Sequence, residues 1–157
     1  MSRLVVSDAS VFINFAFFDE FDKLNKLFEE IIVPEAVYFE VYQHGRYKPG
    51  SQEMLKAKKD GWIKVKKYSN KSLYDRLPSY IHEGEKEAIV LFIEVSGDVL
   101  LMDDRDGRRV AKNIISNDFV LTNSFEICDV LHESDIIDFN SIEMSMKLRQ
   151  ANFNTNF

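Results

Sequence analysis

The chain has 157 residues, 45% of them apolar, and a formal net charge of −6. That length and apolar fraction fit one globular domain with a real core, and the acidic balance argues against indiscriminate nucleic-acid binding. The only cysteine, Cys128, excludes intrachain disulfides and cysteine-rich zinc sites, while the lack of a leader-like start or of an apolar run near the roughly 20 residues of a membrane span leads us to expect a cytoplasmic protein with no membrane association.

Leu4, Val5 and Val6 make an apolar, partly β-branched run that suits a strand buried on both faces of a parallel sheet. Asp8 follows at its carboxyl end, where open α/β sheets place their ligand crevice. Ordinary turn or capping chemistry explains an Asp there equally well. Ser10 is a natural N-cap for a helix through Val11, Phe12, Ile13 and Phe15. Phe17, Phe18, Phe21, Leu24, Leu27 and Phe28 recur at three- and four-residue steps and predict an amphipathic helix packed on a sheet. Ile31 to Val33 reads as a second strand, and Pro34 opens a helix from about Glu35 to His44, with Gly45 as its stop. On that helix Ala36, Val37 and Glu40 share a face. Glu40 is therefore either a candidate ligand or a surface residue at a helix boundary.

A charged helix from about Ser51 to Lys59 comes next, closed by Gly61. Trp62, Ile63 and Val65 with interleaved lysines predict a short or edge strand. Tyr68 to Ser79 reads as loop or broken helix. From Glu83 onward Glu85, Ala88, Ile89 and Phe92 form one stripe, which puts Glu85 at the head of a buried helix face. An acid in a first turn is also favoured by the helix dipole with no function attached. Gly97 ends this helix. Val99 to Met102 is the clearest buried strand and runs straight into Asp103-Asp104, repeating the arrangement at Asp8. Alternation along a strand predicts that one of the two aspartates faces the crevice. A basic helix from Arg105 to Asn113, a short strand over Phe119 to Leu121, and a helix capped by Thr122 or Ser124 and carrying Phe125, Cys128 and Leu131 complete the main body. Asn140 to Gln150 forms a last helix, and Ala151 to Phe157 a fraying tail. Residues 1–139 are thus the expected domain proper, and 140–157 a C-terminal helix and tail packed on it.

The acids converge on one rim of such a sheet, and their mutual repulsion calls for a cation. All-oxygen ligation selects Mg²⁺ or Mn²⁺ over zinc. His44, His82 and His132 lack metal-binding spacing and read as surface or capping residues, and no nucleophilic triad is visible. Carboxylate-held Mg²⁺ suits phosphodiester hydrolysis that leaves a 5′-phosphate. Lys64, Lys66, Lys67, Arg105, Arg108 and Arg109, drawn from two basic clusters, are either solvated faces or contacts for a nucleic-acid backbone.

Val6-Ser7-Asp8-Ala9-Ser10-Val11-Phe12-Ile13, Val33-Pro34 with Glu40 beyond, Gly84-Glu85-Lys86-Glu87-Ala88-Ile89, and Leu101-Met102-Asp103-Asp104 with Arg108 and Ala111 resemble the PIN domain, and most nearly its branch related to VapC-type toxins. The resemblance covers roughly Leu4 to Ile137. It implies a single α/β domain with a central parallel sheet flanked by helices, and a Mg²⁺- or Mn²⁺-dependent ribonuclease. It further implies a homodimeric toxin restrained by a protein antitoxin. Carried over by position, it makes Asp8, Glu40, Glu85 and Asp104 the catalytic acids. Asp8, Glu85, Asp103 and Asp104 become the metal-binding set, with Asp103 a rival to Asp104, and Ser10 a supporting hydroxyl. Glu40 enters this set through the resemblance, since spacing leaves it open. Glu85 stands where many PIN domains carry Asp, and Leu121-Thr122-Asn123 lacks a glycine common in this branch. The alternatives are a non-catalytic nucleic-acid or protein-binding module of the same fold, a nuclease acting on DNA, and a response-regulator receiver. The receiver would carry its acidic pair after the first strand, whereas here the pair comes late.

Overall fold

Val5–Ser7 (β1), Ile31–Pro34 (β2), Ile63–Lys66 (β3), Val99–Leu101 (β4) and Val120–Thr122 (β5) form one all-parallel sheet in the order β3-β2-β1-β4-β5. The computed structural model describes residues 3–44 and 47–155. Parallel strands need long crossovers, and here the intervening segments are helical: Ala9–Phe17 (α1), Leu24–Leu27 (α2), Glu35–Phe39 (α3), Ser51–Asp60 (α4), Lys71–Arg76 (α5), Glu83–Glu94 (α6) and Arg105–Ile114 (α7), with Ser124–Glu133 (α8) and Ser141–Thr155 (α9) following the last strand.

Strand alternation splits the core into two layers. Val5, Ile31, Val33, Ile63, Val99 and Leu101 point to the layer built from α1, α4, α8 and α9. Val6, Ile32 and Leu100 point to the other, under α6 and α7. Register keeps the layers flush, with Val6 opposite both Ile32 and Leu100. The three inner strands, β1, β2 and β4, are buried on both faces because helices cover both. The lysine-bearing β3 lies at a sheet edge, as its pattern predicts. Met144 of α9 is fully buried in the first layer, with Phe139 and Leu148 packed against it. No helix among the described residues is long and apolar enough to cross a membrane.

Several local expectations are corrected. The phenylalanine stripe is not one helix: α1 stops at Phe17, Asp19 takes a left-handed φ of 59°, and a 3₁₀ turn over Phe21–Lys23 leads into α2. Asp19 and Glu20 donate back to Ala16 and Phe15, so the reversal closes α1 while Phe21 and Leu24 still reach the core. Phe17 is left exposed. Leu4 precedes β1 and is also exposed, and Phe119 precedes β5. Of the two readings of Tyr68 to Ser79, loop or broken helix, the second holds: the stretch contains α5, capped by Asn70, whose Oδ1 accepts from Leu73 N at 3.0 Å. Asn123, and neither Thr122 nor Ser124, caps α8, accepting from Glu126 N at 2.9 Å. Val90 of α6 is buried beside the predicted stripe. The last helix runs on through Ala151 to Thr155. Gly45, read as a helix stop, and the last two residues of the tail lie outside the described residues.

The end of α6 shows why a glycine signal can be displaced by one residue. Ser96, with φ 53°, takes the left-handed position, and Gly97 N donates to Phe92 O at 2.9 Å. Gly97 is needed because a Cβ there would stand 2.4 Å from two carbons of the buried Phe92 ring. Gly97→Ala should therefore destabilise the fold by about 1–3 kcal/mol through overpacking. Ser96→Gly should stabilise it by about 0.5–1 kcal/mol by relieving the left-handed backbone. Urea unfolding of both variants checks the pair, and equal effects at the two positions would refute this account.

Candidate active site

In this strand order the chain leaves β1 for β2 on one side and later places β4 on the other. The loops after β1 and β4 therefore diverge, and a crevice opens between them at the carboxyl edge. It has a volume of about 470 Å³, and its walls include Asp8, Glu40, Glu85, Asp103 and Asp104, with Ser10, Asn14, His82 and Arg105 beside them. Asp8 follows β1 and Asp103-Asp104 follows β4. Glu85 comes from the first turn of α6, and Glu40 from the residue after α3.

Asp8 is only 2% exposed and is itself the N-cap of α1. Its Oδ1 accepts from Val11 N at 3.4 Å and its Oδ2 from Asp103 N at 3.2 Å, while its own N–H donates to Leu101 O at 2.9 Å. The cap expected at Ser10 is thus one carboxylate earlier. Ser10 lies in the first turn and borders the crevice. Capping residue and crevice acid, posed as alternatives for Asp8, are the same side chain. Burial, followed by the nearby Asp103 carboxylate, pushes the Asp8 carboxyl up to about 8 against the opposing pull of the two N–H donors.

Asp103 and Asp104 both border the crevice, contrary to the expectation that one would turn away. The strand ends at Leu101, so its alternation no longer governs the pair. Their environments differ. The Asp103 carboxylate accepts from Ser124 N at 2.6 Å, from Ser124 Oγ and from Asn14 Nδ2 at 2.8 Å. Asp104 is the N-cap of α7, its Oδ2 accepting from Gly107 N at 2.7 Å. Asn14 escaped the sequence reading, and Ser124 entered it as a cap of α8 and not as a partner of Asp103. Asn14 is the one polar residue in the run Val11–Ala16, which was the available signal.

Glu85 is 8% exposed, and its Oε2 accepts from His82 N at 2.7 Å, closing the first turn of α6. Burial raises its carboxyl above the ordinary range; the His82 N–H opposes this, and Asp104 and Glu40 add to it. Glu40 is exposed and begins a π-helical turn over Glu40–His44. Its Oε2 lies over Gly84, 3.3 Å from where a Cβ would be. His82 occupies the N-cap position of α6, in keeping with its expected role, and also borders the crevice.

No ion pair among the described residues reaches any of these five carboxylates; the three that occur, Lys23–Asp22, Lys56–Asp60 and Arg109–Asp106, lie elsewhere. Of the six basic residues singled out, Arg105 borders the crevice. Arg108 Nη1 donates to Met102 O at 3.0 Å, fastening α7 to the end of β4, and Arg109 pairs with Asp106 at 3.7 Å. Lys64 and Lys66 lie on β3, with Lys67 just beyond, all exposed. The donor set is all hard oxygen and strongly negative, which fits a hard divalent cation. Among the described residues, however, no three His, Cys, Asp or Glu side chains already converge as a metal cage. One oxygen each of Glu85 and Asp104, and both of Asp8, are engaged by backbone N–H groups.

A family model described as a PIN domain matches residues 4–116, a span that includes all five acids and ends after α7. No curated protein and no solved structure matches the chain.

The folded Asp8 carboxyl holds its proton up to about pH 8, against about 3.8 ordinarily. Between those limits the folded state binds more protons than the unfolded one, so stability of the metal-free protein falls as pH rises. The fall at this site has a limiting slope of about 1.4 kcal/mol per pH unit. Asp8→Asn should flatten the stability profile above about pH 4. Denaturant unfolding in EDTA across this range measures it, and parallel profiles for the two proteins would contradict the burial argument.

Proposed function

The chain belongs to the PIN-domain family, and on that premise we propose that it is a Mg²⁺- or Mn²⁺-dependent endoribonuclease, the VapC-like toxin of a toxin–antitoxin pair. PIN domains are generally nucleases. The observation that carries the reading is the gathering of Asp8, Glu40, Glu85, Asp103 and Asp104 around one crevice at the switch point of the sheet, with no cation ion-paired to them among the described residues.

Asp8, Glu85 and Asp104 would hold the metal, with Glu40 exposed at the rim to orient water or the outer hydration sphere. A divalent ion bound there supplies charge to a phosphoryl oxygen and lowers the pKa of water. Asp103, its carboxylate taken up by Ser124 and Asn14, acts mainly as a positioning residue that fixes the backbone under Asp8. Arg105 at the crevice wall would contact the RNA phosphate, with Lys64, Lys66 and Lys67, on and just after the edge strand β3, meeting the RNA further along. Ser10 supports the crevice from the first turn of α1. Homodimerisation and antitoxin binding draw support from the exposed Phe125, Ile142 and Met146 on α8 and α9. The competing reading, a binding module without catalysis, is favoured by the lack of a ready-made metal cage among the described residues.

Purified protein with Mn²⁺ should cleave members of a single-stranded RNA panel to 5′-phosphate products. EDTA, Asp8→Ala and Asp104→Ala should each lower cleavage by about a hundredfold or more, the loss expected when a metal contact worth several kcal/mol goes. Circular dichroism would establish that both variants stay folded. Full activity in either variant would break the residue assignment, and a wild type that neither cleaves nor binds Mn²⁺ would favour the binding module. Growth arrest on induced expression tests the toxin role separately.

A further inference from the structure

A second cavity, of about 590 Å³, adjoins the acidic crevice and shares Glu40, His82 and Gly84 with it. Gly84 makes the junction possible. A Cβ there would stand 3.3 Å from Glu40 Oε2 and 3.4 Å from Val37 Cγ2, so the Glu40 carboxylate lies across bare backbone and marks the divide between the two spaces. Beyond Glu40 the wall carries Phe39 and, four residues on, Gln43, while Glu83 stands on the α6 side. Phe39 is 43% exposed, and its ring meets that of Tyr38 edge-on at 6.0 Å. Among the described residues no lysine or arginine borders this cavity.

The chemistry of these walls discriminates between parts of a polynucleotide. The two carboxylates, Glu40 and Glu83, repel phosphate. A flat neutral ring bearing N–H donors suits them, with its face on an exposed phenyl ring and its edge toward carboxylate and amide acceptors. We propose that this cavity is a nucleobase subsite, in which the base next to the scissile phosphate of single-stranded RNA stacks on Phe39 and turns its donor edge to Gln43 and Glu83. The proposal rests on the ribonuclease reading for its scissile phosphate. A base seated there has left any helical stack, so the site selects unpaired RNA and imposes its sequence context at one position beside the cut.

The test uses single-stranded RNA with 2-aminopurine, or an abasic residue, placed at successive positions, against wild type, Phe39→Ala and Phe39→Trp. One position should show stacking-quenched 2-aminopurine fluorescence with wild type and Phe39→Trp. Phe39→Ala should lose that quenching and bind about tenfold more weakly (~1.4 kcal/mol). An abasic residue there should slow wild-type cleavage about tenfold and leave Phe39→Ala unaffected. If Phe39→Ala matches wild type in quenching, affinity and abasic sensitivity while both cleave RNA, the subsite is wrong and the nuclease stands. Position-specific quenching that depends on Phe39 without any cleavage would keep the subsite and overturn the nuclease. No quenching at any position, with no cleavage, overturns both.

Discussion

A carboxylate buried at the end of the first strand is the constraint on which the rest of this structure turns. Asp8 joins β1 to β4 through its own N–H on Leu101 O and through the Asp103 N–H on its Oδ2, while its Oδ1 starts α1. Desolvation of a charged carboxylate is costly, and the second acid beside it adds to that cost. Two backbone donors cannot cancel both effects, which is why the group is driven toward its protonated form. A cation entering the crevice would act first on this imbalance.

Three of the four neighbouring acids are built in the same way, each tied to a helix start, whereas Glu40 closes the C-terminal end of α3. Asp104 caps α7, Glu85 closes the first turn of α6, and Asp103 accepts from the first residue of α8. This follows from topology. In a parallel sheet every crossover helix begins at the carboxyl edge, so the positive ends of four helix dipoles meet around one crevice. The fold can therefore carry a dense cluster of carboxylates that, among the described residues, has no lysine or arginine ion-pair partner, and such a cluster stays available to an external cation or phosphate-bound metal.

What was legible in the sequence was whatever depends on near neighbours along the chain. Val5-Val6 and Val99 to Leu101 declare buried strands, and an acid directly after each falls on the crevice rim by the geometry of parallel sheets. The stripe of α6 likewise put Glu85 inward. Caps were misplaced by one or two residues, at Asp8 for Ser10, Asn123 for Ser124 and Ser96 for Gly97, because adjacent polar residues share the same capping chemistry and only backbone angles separate them. The break at Asp19 was hidden because the phenylalanines keep helical spacing across a turn that folds back on the core. The pairing of Asn14 and Ser124 with Asp103 was out of reach for another reason: that acid lies 89 and 21 residues away.

That long-range clamp bears on how the two ends of the chain cooperate. The PIN-domain match ends at residue 116, before β5 and α8. Yet Ser124, outside it, supplies two of the three donors that hold the Asp103 carboxylate, and α8 is in turn braced by α9 through Asp129, which accepts from Ser141 N and Oγ. Asp103 N sets the donor on which Asp8 Oδ2 rests. A chain of hydrogen bonds thus runs from the start of α9, through α8, to the most buried acid of the crevice. A partner that covered the exposed Ile142 and Met146 of α9 would press on the far end of that chain. Because Asp103 has no lone carboxylate oxygen outside the clamp, any shift in α8 reaches Asp8 by a backbone movement and not by a free side-chain rotation. The C-terminal helices are in that sense structural parts of the acid cluster, although they contribute no acid to it.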